Sequence, residues 1–215
     1  VHLLEHEGAH PAVYGEIAGP EGSPTVLLYA HHDVQPAPAE AWQTDPFEPV
    51  ERDGRLYGRG AADDKAGVVA HLAAVRAHGG RPPAGVTLFV EGEEEVGSPT
   101  FAAFHDEHRA LLAADVLVVA DSMNRSADVP ALTTSLRGAV EVDVEVRTLE
   151  RAAHSGMGAA APDALTALAH VLASLHDADG EVAVAGLVSG TRPGPDLDAT
   201  RWRAETGVLE GVSLL

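Results

Sequence analysis

Residues 26–33 read VLLYAHHD, and the fold follows from that stretch. Val26 to Tyr29 is a short continuous apolar run, as in a strand buried on both faces. It ends in His31, His32 and Asp33. Two similar runs follow. Val86 to Val90 leads into EGEEEVGS at 91–98, and Val116 to Val119, read as a third buried strand, leads into Asp121. A helical pattern separates the first two runs. From Asp64 onward, Val68, Val69, Leu72 and Val75 fall at the spacing of one helix face, and Gly79-Gly80 with Pro82-Pro83 stops it. Ser98 or Thr100 caps a second predicted helix running through Ala113, with Phe101, Phe104, Leu111 and Leu112 inward. Alternating strands and helices predict an α/β fold: a mainly parallel sheet with helices on both faces. Ligands in such sheets gather at the carboxyl ends of the strands, where His31, Glu94, Glu95 and Asp121 fall.

Outward from this frame, Ala12 to Ile17 alternates as a strand and Gly19 to Pro24 is turn chemistry. Val34 to Pro49 holds four prolines and Trp42 and reads as an ordered irregular loop. Arg55 to Tyr57 is a short strand before Gly58-Arg59-Gly60. The character changes after Pro130. Val140 to Val146 alternates apolar and acidic residues, as in a strand with one wet face. A helix from about Pro162 to Leu175, a turn at Asp177 to Gly180, and a weakly patterned tail from Ser189 follow. The expected organisation is an α/β domain over 1–130 and an α+β domain over 131–215.

Composition narrows the function. The 215 residues carry a formal net charge of −19, which argues against nucleic acid and anionic membranes as partners. No apolar run approaches the ~18 residues of a membrane span. With no cysteine there is neither a disulfide framework nor a thiolate metal site. No signal peptide is visible, so a cytoplasmic protein is expected. The chain starts at Val1 without a Met and ends on the apolar run 212–215, so both ends look cut. An exposed sheet edge and poor solubility are expected of such a piece.

The polar clusters point to a metal. His31 and Asp33 lie two apart on an extended segment, so both face one way, and a carboxylate there can hold the second ring nitrogen of the imidazole. His32 points to the other side, into packing or the surface. Asp63 and Asp64 follow a Gly-rich turn into a helix, so Asp63 can meet a metal while Asp64 caps. In the Glu93-Glu94-Glu95 run, adjacent side chains diverge, so one glutamate can bind metal while its neighbour serves a water. Histidine plus carboxylates without cysteine suits a divalent cation, zinc first. His154 in HSGM reads, by itself, as a loop residue. The glycines at 58, 60 and 67 match no phosphate loop, and no serine has glycines at both flanking positions of a nucleophile elbow.

Taken together, these segments resemble the M20 family of metallopeptidases, closest to its carnosinase-like dipeptidase branch. The likeness rests on AHHDVQP at 30–36, LYGRGAADDKAG at 56–67, EGEEEVGS at 91–98, VVADS at 118–122, LRG at 136–138 and HSGM at 154–157. It implies two divalent metal ions, zinc first with manganese or cobalt as alternatives, and metal ligands His31, Asp63, Glu95 and Asp121. Asp63 would bridge both ions. Asp33 would be the acidic partner of His31, Glu94 the general base, and His154 a lid histidine that stabilises the oxyanion across a homodimer. The implied fold is a catalytic domain with an inserted α+β lid. The family's second metal takes a further histidine from a later part of the chain, and no histidine follows His176 here. The expected function is metal-dependent hydrolysis of the amide bond in a dipeptide or related small peptide. The alternatives are an N-acyl amino acid deacylase of the same family, or a truncated chain that is catalytically incompetent.

Overall fold

A computed structural model describes residues 1–124, 126, 129–136, 138–187 and 198–212. The chain divides into two compact units, Val1–Leu136 and Arg137–Leu215.

The first unit is built on a five-stranded sheet. Its strands are β1 (His2–Leu4), β2 (Ala12–Ile17), β3 (Thr25–His31), β6 (Gly85–Glu91) and β7 (Val116–Val119), in the order β1-β2-β6-β3-β7. β3 pairs in parallel with β6 and with β7, as the alternating pattern predicts. β1 and β2 extend the other margin in antiparallel pairing. β4 (Val50–Arg52) and β5 (Arg55–Tyr57) form a separate hairpin. Its turn is Asp53-Gly54, both at positive φ, the Asp-Gly signal of a two-residue hairpin loop. Of its two strands, only β5 is expected from the sequence analysis above.

Leu27, Tyr29 and Phe89 point to one face of the sheet, where α2 (Phe101–His108) packs Phe104 against Phe89 with ring centroids 5.8 Å apart. Leu4, Ala12, Tyr14 and Leu112 complete this core. By alternation, Leu28 and Ala30 face the other side, where α1 (Lys65–Ala77) runs along β3.

Four expectations need correction. The β7 strand is not buried: its four side chains are 41–61% exposed, because among the described residues it pairs on one side only and forms the sheet margin. A continuous apolar run does not distinguish a central strand from a marginal one. The second helix stops at His108 rather than Ala113. Both Leu111 and Leu112 then donate to the His108 carbonyl, and this tight turn buries Leu112 while Leu111 stays out. The contact face of α1 is also rotated. Gly67 and His71 are its buried residues, while Val69 is 63% exposed. Finally, residues 140–146 form no strand. Their alternation needs a ladder partner, and no described residue pairs with them.

In the second unit, α3 (Ala164–Ala173) falls within the predicted span and is capped by Asp163, which accepts the Thr166 amide at 2.8 Å. The turn after it is held by the Asp177 carboxylate, which accepts the amides of Asp179 and Glu181. α4 (Ala199–Thr206) was missed in the tail. Asp198 caps it and Gly207, at φ 70°, ends it. Arg137 of the LRG motif, residues 188–197 of the tail and the apolar residues 213–215 lie outside the described set.

Candidate metal centre

Local sequence delivers each side chain. β3 ends at His31, whose ring is completely buried. Asp64 clamps this strand end to the next helix. One of its oxygens accepts the His31 amide at 3.2 Å, and the other caps α1 by accepting the Gly67 amide at 3.1 Å. Asp64 thus takes the capping role expected of it, and Asp63 is left facing the site. Gly67 lets the helix come this close: a Cβ there would stand 2.3 Å from the Ala120 carbonyl oxygen. His71 then donates from Nε2 to the Tyr29 carbonyl at 2.8 Å. Sequence reasoning passed over His71, although Asp64, Gly67 and His71 sit at helical spacing on one face.

The imidazole of His31 is held from both sides. Its Nδ1 lies 3.1 Å from the Asp33 carbonyl oxygen and 3.3 Å from the Asp33 carboxylate. Its Nε2 lies 2.9 Å from Asp63 Oδ1 and 3.9 Å from Glu94 Oε2. Asp33 also accepts the amides of Glu94 and Glu95, at 3.2 and 2.9 Å. It therefore fixes the 3-10 turn Glu94–Val96 beside the strand end. His32 points away and donates to the Pro11 carbonyl at 2.9 Å, a packing role as expected.

Two triads of donor atoms, each within 4.8 Å, share His31: one with Asp63 and Glu95, the other with Glu94 and Asp121. Five of the seven predicted site residues therefore converge, with Asp33 bound to the same imidazole. Asp63 and Asp121 fall in different triads.

The electrostatics match a cation site. Burial by itself would lower the His31 pKa. The hydrogen bond to Asp63 and the charges of Glu94 and Asp121 outweigh it and push the pKa up. Burial raises the Glu94 pKa, and Asp121, Glu95 and Asp33 raise it further against the opposing pull of His31. Glu95 Oε1 is buried without a hydrogen-bond partner. A crowd of carboxylates around one imidazole, with an orphaned acceptor among them, fits a divalent cation.

His154 belongs to the second unit, at the start of the 3-10 turn Ser155–Met157. Its Nδ1 accepts the Gly156 amide at 3.0 Å, so the neutral ring carries its proton on Nε2.

Residues 27–199 match peptidase family M20/M25/M40, and the chain belongs to that family. It is 41% identical over 199 residues to a cysteinylglycine-S-conjugate dipeptidase of Corynebacterium striatum, covering 90% of this chain and 44% of that protein. It is 35% identical over 190 residues to the beta-Ala-His dipeptidase of Rattus norvegicus, covering 85% and 39%. An M20 family metallo-carboxypeptidase from Sulfolobus solfataricus shares the fold at a TM-score of 0.74 and 23% identity, over 100% of this chain and 51% of that one. The chain spans less than half the length of the two dipeptidases and about half that of the carboxypeptidase. No helix among the described residues is long and apolar enough to cross a membrane.

Proposed function

We propose that this chain carries the catalytic centre of a metal-dependent hydrolase that cleaves the amide bond of dipeptides. The carrying observation is the convergence of His31, Asp63, Glu94, Glu95 and Asp121 at one end of the parallel strands. Dipeptidase relatives at 41% and 35% identity support the substrate class. The family's metallopeptidase chemistry supports a divalent cation.

His31, Asp63, Glu95 and Asp121 would hold two divalent ions, with zinc favoured by imidazole and carboxylate donors. Such a cation supplies a Lewis acid and lowers the pKa of a water to roughly 7. Glu94 takes the proton of the attacking water and returns it to the leaving amine. Burial, and then the neighbouring carboxylates, raise its pKa above the ordinary value. Asp33 orients the His31 ring and the Glu94-Glu95 turn together. The second unit serves dimerisation in a homodimer, and His154, whose Nδ1 accepts the Gly156 amide, has its Nε2–H free to donate to a developing oxyanion.

The test is Glu94→Gln with a cysteinylglycine S-conjugate as substrate. Turnover should fall by about 10²–10⁴-fold, the usual worth of a general base, while bound zinc stays at the wild-type level. A fully active variant would remove Glu94 from the mechanism.

A further inference from the structure

Glu93 is the third member of the acidic run, and the proposed chemistry does not use it. It is buried. One carboxylate oxygen accepts the His10 amide at 3.0 Å, and the other accepts the Thr100 hydroxyl. Its own carbonyl accepts the amides of Val96 and Ser98, at 3.3 and 2.9 Å, closing the turn that carries Glu94 and Glu95. Glu93 therefore joins that turn to one distant point, the segment ahead of β2, and to one nearby, the residue before α2.

The same segment is gripped a second time. His32, next to His31, donates to the carbonyl of Pro11. Gly92 packs so closely that a Cβ on it would stand 2.7 Å from the same oxygen. The residues adjacent to two site residues thus point backward and hold one stretch, residues 10–11. In front, Asp33 holds the Glu94 and Glu95 amides. The turn is pinned from both sides.

We infer that Glu93 is a positioning residue, which with residues 10–11 and Thr100 braces the Glu94-Glu95 turn against the His31 strand end. This rests on the metal-site reading above. The brace acts on the metal site by holding the turn in place and not by attraction between the Glu93 charge and the cation. A glutamine can accept the His10 amide with its oxygen and donate its NH₂ to the Thr100 hydroxyl, so it preserves the brace; an alanine cannot.

The test measures zinc affinity of the full chain by competition with a chromogenic chelator, for Glu93→Ala, Glu93→Gln and Thr100→Val. Loss of an outer partner typically weakens metal binding by about 10–100-fold. That loss is expected for Glu93→Ala, with a smaller loss for Thr100→Val and affinity within about threefold of wild type for Glu93→Gln. The rescue by glutamine separates positioning from charge. If Glu93→Ala does not fold, Thr100→Val carries the test, since it removes one contact and leaves the turn sequence intact. Wild-type zinc affinity in Glu93→Ala, or in Thr100→Val where that variant carries the test, overturns the brace. So does a loss as large in Glu93→Gln as in Glu93→Ala. Glu95→Ala is run in parallel: if it too binds zinc normally, the metal site falls along with the brace; if it loses zinc, the brace alone has failed.

Discussion

The backbone amide of His31 is held by the side chain of Asp64, 3.2 Å away, across 33 residues of sequence. The end of the central strand and the start of the first helix are therefore one unit. Asp63, immediately before the clamp, is delivered to His31 Nε2 at 2.9 Å.

Removing that clamp should loosen both elements. Asp64→Ala deletes an N-cap and strands the buried His31 amide, a loss of about 2–4 kcal/mol in total. Asp64→Asn keeps one of the two acceptors but turns its NH₂ toward the other amide, so it should cost about 1–2 kcal/mol, less than Asp64→Ala. Urea unfolding of the two variants measures the difference. Equal stabilities would show that the side-chain oxygen does not hold the strand end.

Gly67→Ala should destabilise although alanine favours helices by about 1 kcal/mol. The new Cβ would meet the Ala120 carbonyl and the Asp64 carboxylate, each at 2.3 Å. A backbone oxygen cannot rotate aside, so overpacking of about 1–3 kcal/mol is expected. Ala120 precedes Asp121, so zinc affinity should fall too. A more stable variant would place the helix further from β7.

What the sequence disclosed follows from how local each signal is. Apolar runs ending in polar clusters marked β3 and β6 and placed His31, Glu94 and Glu95 at strand ends. Asp64 was legible as a cap because capping is decided within one helical turn. The exposure of Val116–Val119 was not legible, since it depends on which strands lie beside β7. The alternation of residues 140–146 promised a strand that lacks a pairing partner among the described residues. His71 and Glu93 were missed for a related reason: both hold backbone groups from remote segments, and a window of neighbouring residues does not contain those partners.

Acid should weaken the fold through Glu93. The Thr100 hydroxyl and then the His10 amide lower its pKa from the ordinary value of 4.5. A carboxylate with a depressed folded-state pKa contributes stability that is fully present above the unfolded value. That contribution is lost as pH falls through the folded value. Glu93→Gln cannot titrate, so its stability should decline less steeply below pH 4.5. Chemical denaturation at a series of acidic pH values checks this. Parallel acid limbs for wild type and Glu93→Gln would count against the hydrogen bonds that hold the carboxylate.

His31 gathers carboxylates that would hold a divalent metal. The most direct measurement is the metal content of the purified chain by plasma mass spectrometry after dialysis against zinc, with His31→Ala alongside. At least about one zinc per chain, falling to near zero in His31→Ala, is the expected result, since this imidazole is common to both triads. No bound zinc, or zinc that persists unchanged in His31→Ala, would contradict it.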